Sequence, residues 1–255
     1  SMIVTVAGTI MEGDGFVKQQ IERIREDKDV VAIVLRIDSP GGTVTGSDYL
    51  YHHLRKLTED EDRPLPLVVS MGSICASGGY YIAMAAGDEP DVLFAEPATW
   101  TGSIGVVIPH YDLSGLLNQW DVRDDSIASH QHKLMGSPTR ELTPEERAEE
   151  RALLQELVNE SFDRFKQIVL DGRPLLADDP EKLETATTGR IFTAEQAKSL
   201  GLVDKIGFID DAIERAAELA GEDVDRLRFL KYEAPPDPLS VITGPASRSL
   251  RRTGG

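Results

Sequence analysis

The sequence predicts an α/β protein: a parallel sheet core with flanking helices and a helical C-terminal part. Three observations carry this. Apolar, β-branched runs recur at 3–10, 30–38 and 65–71 without strict alternation, the pattern of strands buried on both faces. Segments with helical apolar spacing separate them, as right-handed parallel crossovers require. Glycine-rich turns close two of these strands, in "DSPGG" (38–42) and in "MGSICASGG" (71–79).

Taken in order, "IVTVAGTI" (3–10) is the first strand, and "FVKQQIERIRED" (16–27) is a helix with Phe16, Val17, Ile21 and Ile24 at helical spacing. "VVAIVLRID" (30–38) is a continuous apolar strand stopped by "SPGG". "GSDYLYHHLRKL" (46–57) is a helix, and "LPLVVSM" (65–71) a buried strand that runs into the small-residue helix of "MGSICASGGYYIAMAAG" (71–87). "DVLFAE" (91–96) and "TGSIGVVI" (101–108) read as further strands. After Pro109 the pattern loosens: 113–120 is a helix, 122–129 a strand or loop, and 130–143 irregular. Thr143 as N-cap, Pro144 at the first helical position and Glu146 at the capping-box spacing then open a long helix to about Leu170. Its Leu153, Leu157, Phe162 and Phe165 fall on one side. "RIFTAEQAKSLGLVDKIG" (190–207) is a strand, a capped helix and a turn, "FIDDAIERAAELAG" (208–221) a helix, and "RLRFLKYE" (226–233) a last strand. Residues 1–234 form one domain, followed by a Pro-, Gly- and Ser-rich tail at 235–255 that is expected to be mobile.

The 255 residues suffice for one sizeable core, and 40% hydrophobic with 28% charged residues is an ordinary globular balance. A formal net charge of −17 excludes a basic nucleic-acid surface. Cys75 stands alone, so no intramolecular disulfide forms, and it reads as a packing thiol. No apolar run approaches the ~18–20 residues that span a bilayer. Ser1 before Met2 resembles a scar of tag removal, so an N-terminal membrane anchor absent from this chain is expected. Without a His/Cys cluster at ligand spacing, neither metal nor organic cofactor is expected.

Ser77 falls at a strand-to-helix turn, where free N–H groups and the helix dipole favour a nucleophile whose attack creates an oxyanion. The competing reading is an ordinary N-cap serine. In parallel α/β sheets ligands bind beyond the carboxyl ends of the strands, so the turns at 38–42 and 72–79 should converge. Gly78 would supply one oxyanion N–H, and Gly42 or Gly41 the other. A third glycine-serine turn, "TGSIG" (101–105), ends the next strand.

These motifs, with "RIDSPGG" (36–42), "SMGSICASGGYYIAMAA" (70–86), "HKLMGSPTRELTPEE" (132–146) and "GRIFTAEQAKSLGLVDKIG" (189–207), resemble the signal peptide peptidase A (SppA) family of serine proteases, with its Clp protease/crotonase-like fold. The resemblance spans roughly residues 3–233. It implies a serine endopeptidase with a Ser–Lys dyad that degrades cleaved signal peptides and other short hydrophobic peptides. Ser77 matches the nucleophile, Lys133 the general base, and Ser103 the hydroxyl that orients the lysine amine. Alone, Lys133 would read as an exposed loop lysine, and the neighbouring His130 and His132 leave a histidine base open. One copy of the core implies a homo-oligomeric ring, an octamer among its closures, with a dyad shared between subunits. A membrane-associated location facing the extracytoplasmic side is expected, the cytoplasm remaining open. The alternatives are a stomatin-partnered membrane serine protease of the same superfold, a crotonase-like acyl-CoA enzyme, and a non-catalytic assembly protein.

Overall fold

The structure, a computed structural model, describes residues 1–12 and 15–231. The tail at 235–255 lies outside them. Eight strands form one sheet: β1 (Met2–Ala7), β2 (Ile33–Ser39), β3 (Leu67–Ala76), β4 (Leu93–Ala95), β5 (Trp100–Gly102), β6 (Ile191–Thr193), β7 (Lys205–Ile206) and β8 (Leu230–Lys231). The order is β6-β5-β3-β2-β1-β8, with β4 on β3 and β7 on β4. All pairs are parallel except β5 with β6. The helices are α1 (Phe16–Glu26), α2 (Val44–Thr58), α3 (Gly78–Ala83), α4 (Ser114–Gln119), α5 (Pro144–Gly172), α6 (Pro180–Ala186), α7 (Ala194–Leu200) and α8 (Ile209–Leu219). This is the predicted α/β class with its helical C-terminal part.

Three local departures have physical causes. The first strand stops at Ala7, because Gly8 turns the chain at φ 71° and Ile10 rejoins only as a single bridge to Gly42. The strand expected over 101–108 ends at Gly102, where Gly102 (φ 88°) and Ser103 (φ 51°) both leave extended backbone. The helix α6 was not anticipated; Asp179 caps it by accepting from the Lys182 N–H, and Pro180 opens it.

β3 positions the site. Its first part pairs with β4 and its last part with β5, and opposite it the register jumps from Ile37↔Met71 to Ser39↔Cys75. Residues 72–74 bulge outward, and the Asp38 carboxylate fills the gap by accepting from the Ile74 N–H (3.1 Å) and the Ser73 hydroxyl (3.2 Å). A bulge of this kind bends a strand and re-aims its end. Here it swings Ala76 and Ser77 onto β5, so that three strand ends meet.

The helix α5 begins with the predicted capping box of Thr143 and Glu146. Only its C-terminal half joins the core, through Phe165, Ile168 and Val169. Next to it, Arg173 donates to the Gly201 carbonyl (2.7 Å) and to Asp204 (2.6 Å), whose other oxygen accepts from the Val92 and Leu93 N–H groups at the start of β4. The N-terminal half rises away from the sheet, and Leu157 on it is exposed.

Candidate active site

Ser77 sits at the N-cap position of α3, yet its side chain makes no capping hydrogen bond. Its backbone is at φ 52° and ψ −119°, outside every basin that an L-residue favours. Two bonds hold that conformation: the Ser77 N–H donates to the Gly102 carbonyl at 2.8 Å, and the Ser77 carbonyl accepts from the Tyr81 N–H at 2.9 Å. The capping reading of Ser77 is therefore set aside. A half-buried serine whose hydroxyl has no backbone partner, on a strained strand-to-helix turn, has the geometry that a nucleophile uses.

The "SPGG" turn meets it. A Cβ added to Gly41 would lie 2.6 Å from the Gly78 nitrogen and 2.9 Å from Ser77 Cβ, so only glycine permits this approach. A Cβ on Gly78 would lie 3.3 Å from the Gly42 nitrogen and 2.2 Å from Ser47 Oγ. The Gly41 N–H already donates to Ser39 Oγ at 3.1 Å, and Ser39 donates onward to the Gly8 carbonyl at 2.6 Å. Gly41 thus serves by its missing side chain, which leaves the N–H groups of Gly42 and Gly78 without acceptors among the described residues.

A small pocket opens over this floor of Gly42, Ser77 and Gly78, walled by Val44, Tyr81, Val106 and Phe165. No Asp or Glu is among the described residues lining it, which is what a crotonase-like carboxylate base would need. Behind the wall, the Tyr81 hydroxyl donates to Asp48 at 2.6 Å, and Arg164 donates to the same oxygen through two nitrogens at 3.1 and 2.6 Å. Burial, then the Asp48 acceptor, push the Tyr81 phenol far up, so it stays a neutral donor. Sequence reasoning missed this three-residue tie of α2, α3 and α5. The doubled tyrosine after "SGG" was a signal; the 116-residue separation of Asp48 and Arg164 left none.

Ser103 follows Gly102 directly, and its N–H donates to the Arg190 carbonyl at 2.8 Å on the neighbouring strand segment. Ser77, Ser103, Gly41, Gly42 and Gly78 are thus brought to one end of the sheet. Lys133 is not among the residues lining the pocket. It lies exposed on a short 3-10 turn, Gln131–Leu134, within an arm that leaves the core after Ile104. His132 faces Glu149 at 3.4 Å, and neither it nor His130 lines the pocket. Cys75 is fully buried, and burial pushes its thiol far up, as a packing role requires.

Residues 59–223 match peptidase family S49. The chain belongs to that family. It is 39% identical over 241 residues to a candidate protease of Synechocystis sp., slr0021, covering 94% of this chain and 82% of that one. It is 36% identical over 195 residues to a candidate signal peptide peptidase, SppA, of Enterococcus faecium (76% and 53% covered). The chloroplastic serine protease SPPA of Arabidopsis thaliana is 35% identical over 231 residues, 88% of this chain and 32% of that protein. The chain therefore spans about half of the Enterococcus protein and a third of the Arabidopsis one. Among its described residues, this S49 peptidase carries no helix long and apolar enough to cross a membrane.

Proposed function

We propose that this S49 peptidase is a serine endopeptidase that degrades cleaved signal peptides and other short hydrophobic peptides, with Ser77 as nucleophile and Lys133 as general base. The observation that carries it is the uncapped Ser77 hydroxyl beside the two unpaired N–H groups of Gly42 and Gly78. The Ser77 oxygen attacks the peptide carbonyl while its proton passes to the neutral Lys133 amine, and the Gly42 and Gly78 N–H groups hold the resulting oxyanion. Lys133 then returns that proton to the leaving amine, and water hydrolyses the acyl-enzyme by the same route. Ser103 orients the amine. The apolar wall of Val44, Val106 and Phe165 suits an apolar side chain next to the scissile bond.

Desolvation is one cause that favours the neutral form an amine needs to act as a base, and Lys133 is exposed on the single chain. A second copy supplies that cover in this proposal. The arm before Lys133 carries unusually exposed apolar side chains: Val107 is 80%, Tyr111 73%, Trp120 75% and Ile127 99% exposed. Such a surface is that of an interface, and a head-to-tail contact repeated around an axis closes a ring in which each Ser77 meets a neighbour's Lys133. Substrates that come out of a bilayer would place the ring at a membrane surface.

Labelling with a fluorophosphonate tests the nucleophile: the adduct should map to Ser77 and vanish in Ser77→Ala. Lys133→Arg should be inactive, because guanidinium does not deprotonate at working pH, whereas His132→Ala should keep its activity. Activity should continue to rise above pH 7; a plateau reached by pH 7 points to a histidine base. An adduct on another residue, or an active Lys133→Arg, overturns the assignment.

A further inference from the structure

Glu150 is the one carboxylate among the described residues that is buried, at 8% exposure. It is also the first buried residue after Ile104, since none between 105 and 149 is buried. An arm of that length without a core has little to fix its conformation except polar contacts. Beside the exposed pair of His132 with Glu149 at 3.4 Å, Glu150 makes part-buried contacts close to Lys133. One of its oxygens accepts from the Gly136 N–H at 3.3 Å, three residues past the lysine, and the other accepts from Arg140 Nη1 at 2.9 Å. Gly136 stands at φ 78°, where the chain reverses out of the turn that carries Lys133. Inside that turn the Lys133 N–H donates to the His130 carbonyl, the Met135 N–H to His132 and the Ser137 N–H to Leu134. The carboxylate therefore grips the limb that leaves Lys133 at two points and fixes it to the second turn of α5.

We propose that Glu150 is the positioning residue of Lys133: by clamping Gly136 and Arg140 to α5 it sets where the amine stands. The proposal rests on Lys133 being the base. A buried carboxylate is costly unless paired, and both partners of Glu150 lie in the lysine loop, none in the sheet. Arg140, itself 16% exposed, supplies the counter-charge of Glu150 at 2.9 Å and also stands 3.7 Å from Glu146. Glu150 also lines a cleft of about 420 Å³ shared with Val106, and Val106 lines the Ser77 pocket as well. The clamp thus lies beside the nucleophile's pocket without entering it.

The test is a kinetic cycle on the assembled protein with a fluorogenic hydrophobic peptide, using Glu150→Ala, Lys133→Ala and the double variant, with Glu150→Gln as the isosteric control. Glu150→Ala should lower kcat about 30-fold or more and change KM less than about threefold, as loss of transition-state geometry does. Glu150→Gln keeps an acceptor for Gly136 and loses the ion pair, so its kcat should fall only about three- to tenfold. The double variant should be no slower than Lys133→Ala, because Glu150 acts through the lysine. Losses that multiply would reduce Glu150 to a structural role and overturn the proposal. So would wild-type kcat in both Glu150 variants while Lys133→Ala is inactive, which leaves the base assignment standing. An active Lys133→Ala removes the base and the clamp's purpose together. If Glu150→Ala does not fold, Glu150→Gln and its double variant with Lys133→Ala carry the same comparison.

Discussion

The Ser77 N–H donates to the Gly102 carbonyl at 2.8 Å, and the residue after that carbonyl, Ser103, is the other serine of the site forced to positive φ. Two adjoining turns, one from β3 and one from β5, thus hold each other in conformations that neither would adopt alone. Strain of this kind costs on the order of 1–3 kcal/mol per residue and persists only where the surroundings over-determine it. The stability of these turns and the placement of the Ser77 hydroxyl are one problem.

That coupling fixes what Ser77 substitutions should do. Because the hydroxyl caps nothing, Ser77→Ala should abolish peptidase activity without the ~1 kcal/mol loss that follows removal of an N-cap. Ser77→Gly, equally inactive, should be more stable than Ser77→Ala by about 1 kcal/mol, since glycine occupies this region of φ and ψ freely. Thermal unfolding of the two variants checks this; equal stabilities would mean the turn is not strained.

Gly102 should be intolerant for a different reason. A Cβ there would meet the Arg190 carbonyl oxygen at 3.0 Å and a Phe192 ring carbon at 2.6 Å. The ring can shift, but the carbonyl also accepts the Ser103 N–H and cannot. Gly102→Ala should cost roughly 2–3 kcal/mol and most of the activity. Gly189→Ala, at a similar φ of 80° but with nothing within 4 Å, should cost only about 1 kcal/mol. Similar melting temperatures for the two variants would contradict the steric account.

Much of this architecture is legible in the sequence because local signals and burial agree. The capping box of Thr143 and Glu146 and the doubly buried β2 and β3 come out as expected. The convergence of the two glycine turns follows from strand ends in a parallel sheet. What does not come through depends on contacts distant in sequence. The Asp38-filled bulge, the antiparallel β6 and the Tyr81–Asp48–Arg164 tie have no periodic signature. The free Gly42 N–H and the engaged Gly41 N–H differ only through Ser39 Oγ, which spacing cannot reveal.

The arm that carries Lys133 should resist mild acid. Asp124 is held at about 2, below its ordinary 3.8, first by the Ser126 hydroxyl and then by the Thr139 hydroxyl. Asp112 is held at about 2 by the Ser114 hydroxyl and N–H and by Arg147. A carboxylate depressed by folding contributes its stability in full above its unfolded value and loses it as pH falls through its folded value. The arm should therefore stay intact at pH 4 and come loose only as pH approaches 2. Pepsin digestion with far-UV circular dichroism as a control reads this: cuts within 110–142 should appear at pH 4 in Asp124→Asn but not in the wild type. Identical digestion of both at pH 4 would show that Asp124 does not hold the arm.

The shared dyad makes the most demanding prediction. Lys133 does not line the Ser77 pocket of its own chain, and the apolar side chains of the same arm face solvent. Mixed subunits test whether a neighbour completes the site. Ser77→Ala subunits keep the lysine, Lys133→Ala subunits keep the serine, and each forms an inactive ring by itself. In a head-to-tail ring assembled from equal amounts, about one junction in four pairs an intact serine with an intact lysine. Activity should then return to about a quarter of the wild-type value, and fluorophosphonate should label the Lys133→Ala subunits alone. The mixture must be unfolded and refolded together, or exchanged long enough for sedimentation of a tagged species to show hetero-oligomers. Hetero-oligomers that remain inactive would place both residues of each dyad in one subunit. A chain that sediments as a monomer at micromolar concentration and still cleaves peptide would remove the ring from the mechanism.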